Sequence, residues 1–347
     1  MPPDDGRAAP PPLAFRLAAV GCGVIAAVVV GIVAARMAGI DLGRGFERVR
    51  QAGEPAPTLA PSGYMTADPI RGHRHVPGAV GHLRTDEFDA TYSIDARGAR
   101  DIPAHRDAPA GRPVVEIFGD SFTFGHGVAD DVPYPAVLQR DHWPYMDVRN
   151  RGVNGYGTMQ AMAWLDEIAP SEPGLERVLY GWLDFHISRN GPDPSWLELV
   201  ERSHQRLPLY RVKGGRPEFD RLIGLADALP AGDPALIDIE WANTEAAVRQ
   251  MDRVTRAAGA TFHVVLLPLR YPDGAAANVA RMRRLLADSG VRSIDLTDMN
   301  GATDDALYFP VDGHPKAEWH RRVAAGIAAG IAAGVGGSGG AADRNRP

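Results

Sequence analysis

The chain reads as an α/β protein built on a central parallel sheet, and three observations predict it. From Gly111 onward, short β-favouring apolar runs alternate with stretches of helical period. Strands separated by helices imply βαβ crossovers and a parallel sheet covered on both faces. The clearest strand, Val114–Phe118, runs into Gly119-Asp120-Ser121, so a serine stands just past a strand end. Open α/β sheets keep their ligand site there, outside the carboxyl edge. No Gly-x-Gly-x-x-Gly follows a strand, which argues against a dinucleotide-binding fold.

The remaining elements follow from the same alternation. Further strands are expected over Met146–Asn150, Arg177–Trp182, Phe262–Leu267 and Val291–Leu296. Helices are expected over Pro133–Asp141, Met159–Ile168, Trp196–Arg206, Phe219–Ala228, Thr244–Ala258, Ala275–Ser289 and Pro315–Ala333. In the fifth helix Val248, Met251 and Val254 recur at helical spacing and form a core-facing stripe, leaving Arg249, Arg253 and Arg256 on a solvated face. The stretch from Phe185 to Ile239 is longer than one crossover needs, so part of it is expected to cap a pocket.

At 347 residues the chain is long enough for one large core plus a small appendage. A net charge of -6 gives no electrostatic reason to expect nucleic acid. The single cysteine, Cys22, lies in the N-terminal apolar run, so the rest of the chain has no disulfide and no thiolate site. Residues 1–12 are proline-rich and expected to be disordered. Leu17 to Ala35 is an uncharged, mostly apolar run of 19 residues between Arg16 and Arg36, enough for a helix to cross a bilayer. A transmembrane helix is therefore expected over 13–38. A cleaved signal peptide fits less well, because the run is too long and no small-x-small site follows. A linker is expected over 39–62, a small β-rich appendage over 63–110, the α/β domain over 111–334 and a disordered tail over 335–347.

Four stretches carry the chemistry. They are Gly119-Asp120-Ser121; Asn150-Arg151-Gly152-Val153-Asn154-Gly155-Tyr156-Gly157 after the second strand; Gly181-Trp182-Leu183-Asp184 after the third; and Asp312-Gly313-His314-Pro315 before the last helix. In this order they resemble the blocks of the SGNH or GDSL hydrolases, serine esterases and acyl-transfer enzymes. The resemblance runs from about Gly63 to Gly330. It implies a flavodoxin-like three-layer sandwich around the parallel sheet.

Serine is a weak nucleophile at neutral pH and needs a base within reach. The resemblance implies Ser121 as nucleophile, His314 as base and Asp312 as the carboxylate orienting the ring. It implies an oxyanion hole from the backbone N–H groups of Ser121 and Gly155, with the Asn154 side chain as a further donor. The family has an asparagine where this chain has Leu183, so one side-chain donor is missing. It also has two residues between aspartate and histidine, where this chain has only Gly313. The phrase Asn-x-x-Gly-x-Arg of a bacterial branch appears with its first residue replaced, as Asp95-Ala96-Arg97-Gly98-Ala99-Arg100.

No metal and no cofactor is implied. His73, His75 and His82 are loosely spaced and read as surface histidines. Aromatics Trp143, Tyr145, Trp182 and Phe185 read as core or rim packing, with some available to line a pocket. The expected function is membrane-anchored ester hydrolysis, removing a short acyl group such as acetyl from an envelope glycan. Acyl transfer to a glycan hydroxyl is the chemical alternative, and a silent glycan-binding or assembly protein the alternative from another class. Arg36, Arg44, Arg48 and Arg50 outnumber Arg7 and Arg16, which by charge alone would keep the C-terminal part in the cytoplasm. The resemblance instead implies an extracytoplasmic site.

Overall fold

The computed structural model describes residues 63–105, 111–272 and 274–337. The expected N-terminal disorder, transmembrane helix and linker, and the tail from residue 338, lie outside these residues. Among the described residues no helix is long and apolar enough to cross a membrane.

Two antiparallel hairpins come first: β1 (Met65–Asp68) with β2 (Gly72–His75), and β3 (Val80–Arg84) with β4 (Asp89–Ser93). The α/β part follows with β5 (Val114–Gly119), the single turn α1 (Ser121–Phe124), α2 (Tyr134–Val137), β6 (Asp147–Gly152), α3 (Thr158–Ile168) and β7 (Leu175–Trp182). After β7 come α4 (Pro194–Arg202), then β8 (Leu207–Lys213) paired antiparallel with β9 (Arg216–Ile223). The chain closes with α5 (Pro234–Ala257), β10 (Thr261–Leu266), α6 (Ala276–Ser289), β11 (Arg292–Asp295) and α7 (Ala317–Gly337).

One five-stranded sheet holds β11-β10-β7-β5-β6 in that order, all pairs parallel. The chain first steps outward from β5 to β6 and then returns to β7 on the other side of β5. Open α/β sheets place their ligand crevice at such a reversal, here the carboxyl ends of β5 and β7.

Alternation along the strands divides the core into two layers. Val114 and Phe118 of β5 pack with α3, α5 and α6 through Leu165, Met251, Met282 and their neighbours. Val115 and Ile117 face the opposite layer, with Tyr134 of α2 and Trp319, Val323 and Ile327 of α7. The sheet is therefore buried on both faces, which is why its strands read as nearly continuous apolar runs.

Glu116 interrupts that run. It is fully buried and accepts from Arg149 Nη1 at 3.1 Å and from Arg151 Nε and Nη2 at 2.7 and 3.0 Å. Both arginines lie on β6, beside β5, so the ion network spans two neighbouring strands of the sheet.

Two sequence expectations fail in informative ways. The helix expected over Phe219–Ala228 is instead strand β9 and a short turn. Gly214 and Gly215 both have positive φ, 56° and 73°, the backbone of a two-residue hairpin turn that fixes the pairing of β8 with β9. The histidines expected at the surface divide: His82 is exposed, but His73 and His75 are buried and bond the carbonyls of Asn154 and Gly98 at 2.9 and 3.1 Å. A smaller departure is that Pro133–Asp141 forms one α turn and then a π turn over Leu138–His142.

Glu116→Gln tests the buried ion network, since it takes from Arg151 its carboxylate partner, while Arg149 keeps Asp147 and Glu172 at 2.9 and 2.7 Å. The expected loss is about 3–5 kcal/mol in urea unfolding. A loss below about 1 kcal/mol would mean that water already shares these charges.

Candidate active site

The turn that carries Ser121 is set by the residue before it. Asp120 caps α1, accepting the Phe122 N–H at 3.0 Å, so the chain leaves β5 and turns within one residue. Ser121 occupies the first position of the turn, and its carbonyl accepts the N–H groups of Gly125 and His126 at 2.8 and 2.9 Å. Arg100 holds the turn from behind, donating to the carbonyls of Phe124, Gly125 and Val128 at 2.7, 2.5 and 2.5 Å. The arginine that ends the Asp95–Arg100 phrase is thus a buried strut of the serine turn.

The other half of the site comes from the loop between β11 and α7. Phe309 N–H donates to the His314 carbonyl at 2.9 Å and Gly313 N–H to the Phe309 carbonyl at 3.0 Å, closing a tight loop. Gly313 has φ of 82°, a left-handed backbone that lets Asp312 curl back on the histidine two positions on. Asp312 Oδ1 accepts His314 Nδ1–H at 2.7 Å and the His314 backbone N–H at 3.2 Å. The single-residue spacing therefore suffices to pair carboxylate and ring.

Ser121 and His314 are brought together across 193 residues of sequence, with Oγ 2.8 Å from Nε2. A ring with Nδ1–H on a carboxylate presents its Nε2 lone pair to the hydroxyl, the arrangement that can take the serine proton. Asp312 Oδ1, His314 and Ser121 form one continuous line of hydrogen bonds. Burial would raise the Asp312 carboxyl, but the His126 and His314 rings beside it outweigh that and hold the group far below the usual carboxylate range. Asp312 therefore remains an anion across the working pH range.

The expected oxyanion donors are placed unequally. Among the described residues, the backbone N–H groups of Ser121 and Gly155 have no hydrogen-bond acceptor. Asn154 is engaged elsewhere: its Nδ2 lies 3.4 Å from Tyr64 Oη and 3.1 Å from His126 Nδ1. Leu183 is fully buried in the layer with Trp319 and Ile327, so an apolar contact replaces the missing amide. Phe122 stands beside the His314 ring, 5.4 Å from it and 5.9 Å from Phe185 between centroids. Trp143 and Tyr145 border instead a cavity of about 410 Å³ with Val115 and Arg177, near the starts of β5 and β7 and away from Ser121.

Sequence reasoning missed three contributors. His126 packs against His314, ring centroids 4.5 Å apart. Arg189 donates to Asp120 Oδ2 at 2.9 Å and to the Tyr156 carbonyl at 2.8 Å, between the rings of Phe185 and Trp196. Glu87, in the turn of the β3–β4 hairpin, accepts the backbone N–H groups of Val311 and Asp312 at 2.9 and 2.6 Å. None belongs to a local motif; Gly125-His126-Gly127 beside the serine turn was the one visible signal.

No protein-family model matches the chain, and no curated protein matches it. Among solved structures it is similar to a psychrotrophic esterase from Pseudoalteromonas, at 12% identity and TM-score 0.42 over 64% of this chain and 98% of that one. It is similar also to a GDSL-like lipase from Bacteroides thetaiotaomicron (12%, 0.39, 64% and 88%). A family 3 carbohydrate esterase from Clostridium thermocellum gives 11%, 0.40, 66% and 99%. The reading of the chemistry below rests on the geometry of this chain.

Asp120 gives a pH test. Burial would raise its carboxyl, but His186, Arg189 and the Phe122 N–H together lower it to about 2 from 3.8. A depressed carboxyl adds stability that is present above its unfolded value and lost as pH falls towards the folded one. Asp120→Asn should therefore cost roughly 2 kcal/mol near pH 7. The difference from wild type in urea midpoint should close between about pH 4 and pH 2. A gap that stays constant over that range would show that the carboxylate charge contributes nothing.

Proposed function

We propose that the chain is a serine esterase of the SGNH type. The observation that carries this reading is the unbroken line from Asp312 through His314 to Ser121, at 2.7 and 2.8 Å. Ser121 Oγ attacks the acyl carbon while His314 Nε2 takes its proton. Asp312 holds the imidazolium, and the N–H groups of Ser121 and Gly155 bind the oxyanion. Collapse of the intermediate breaks the ester C–O bond, and His314 returns the proton to the leaving alcohol. Water then repeats the sequence on the acyl-enzyme, with His314 again as base, and releases the acid.

With Leu183 apolar and Asn154 engaged elsewhere, this reading leaves the oxyanion two backbone donors. One absent donor corresponds to roughly 3 kcal/mol of transition-state stabilisation, so slow turnover on unactivated esters is expected. The Phe122 ring beside His314, with Phe185 packed against it, suits a small acyl group. The proposed substrate is a short-chain ester, such as an O-acetyl group, on an envelope glycan. The N-terminal apolar run would tether the enzyme at the membrane with its site on the extracytoplasmic side.

Fluorophosphonate labelling of the purified full-length chain tests the nucleophile. Wild type should label and hydrolyse an activated acetyl ester; Ser121→Ala should do neither. His314→Ala should lower kcat by at least about 10³-fold. A folded wild-type chain that neither labels nor turns over would favour a binding role instead. Adding a sugar acceptor separates the two chemistries, since free acetate marks hydrolysis and acylated sugar marks transfer.

A further inference from the structure

The proposed proton relay uses Ser121, His314 and one oxygen of Asp312, and leaves a second buried histidine unassigned. His126 Nε2 lies 3.6 Å from Asp312 Oδ2, the oxygen that His314 does not take. Its other ring nitrogen, Nδ1, lies 3.1 Å from the amide nitrogen of Asn154. An imidazole nitrogen facing an amide N–H must accept, so the ring proton sits on Nε2 and points at Asp312. Turning the Asn154 amide over would put the proton on Nδ1 and aim a lone pair at a carboxylate. Asp312 therefore decides the orientation of both side chains.

The surroundings keep this ring neutral. Burial lowers the His126 pKa first and the neighbouring His314 lowers it further; Asp312 opposes them, and Arg100 adds to the lowering. The Tyr92 ring stacks at 6.2 Å and Phe88 meets it edge-on at 5.4 Å. At neutral pH His126 thus offers Asp312 an N–H dipole rather than a second positive charge next to the catalytic imidazole.

We propose that His126 is a positioning residue, a second N–H that steadies the Asp312 carboxylate, with Asn154 setting its tautomer. This inference rests on the serine-esterase reading. It gives the Asn154 side chain a role outside the oxyanion hole, and it gives each carboxylate oxygen its own imidazole. A carboxylate shared between two donors is a weaker base towards His314 than one with a single donor.

His126→Phe in the full-length chain tests this, because it keeps an aromatic ring against Phe88 and removes the N–H. We expect kcat/KM for an activated acetyl ester to fall about ten- to a hundredfold, through kcat rather than KM. The acid limb of the kcat/KM profile should move to higher pH, since Asp312 then serves His314 alone. His126→Gln restores a donor and should recover most of the rate and the original limb.

A rate loss with an unmoved acid limb, or a Phe variant indistinguishable from wild type, would assign the ring to packing and overturn the proposal. Circular dichroism checks the fold; if the Phe variant does not fold, the Gln variant decides. Near-wild-type rate and limb in Gln support the proposal, and a loss beyond a hundredfold overturns it. Wild type that fails to label with fluorophosphonate sinks the esterase reading and this inference with it. Labelled wild type with an unresponsive position 126 sinks this inference alone.

Discussion

The carboxylate of Asp312 is a largely buried negative charge, and the site is arranged to make that charge tolerable. A carboxylate taken out of water is costly unless donors replace its hydration. His314 supplies a ring N–H and a backbone N–H, and His126 faces the second oxygen. The same donors that stabilise the charge also fix its direction. The orientation of the His314 ring is thus a consequence of satisfying a buried anion.

The pattern recurs deeper in the protein. Asp120, fully buried, is met by Arg189, His186 and the N–H of Phe122. Glu116, four residues earlier on β5, is met by Arg149 and Arg151. Each carboxylate lies on or directly after β5, and each takes partners from a different element. Misplacing β5 by one residue would strand these charges in apolar surroundings, so they penalise alternative registers as well as contributing stability in the correct one.

Much of the sheet was legible because its signal is local. Apolar runs such as Val114–Phe118 and Phe262–Leu267 need only neighbouring residues to be read, and the strands follow them to within about two residues. Ser121 was legible from its place at a strand end, and His314 through the family resemblance. The supporting residues were not, because their partners lie far away in sequence. Nothing near His73 announces that the carbonyl of Asn154, 81 residues later, will bury it. Arg189 sits in a long connection without periodicity, and its role appears only when β5 delivers Asp120 beside it. The second strand of the β8–β9 hairpin was misread as helix from Phe219 onward, although Gly214-Gly215 carried a usable turn signal. Leu183 was visible as a departure from a motif, but only packing shows that its side chain serves the apolar layer.

The hairpin of β3 and β4 belongs, by sequence, to an appendage ahead of the α/β part. Yet its Glu87 grips the backbone on which Asp312 hangs, and Phe88 rests against Phe309 in that same loop. Cutting the chain at the apparent domain boundary near residue 111 would leave the loop that carries Asp312 and His314 without these contacts. The hairpin ahead of residue 111 and the loop of Asp312 therefore form one structural unit, and minimal expression fragments should keep both.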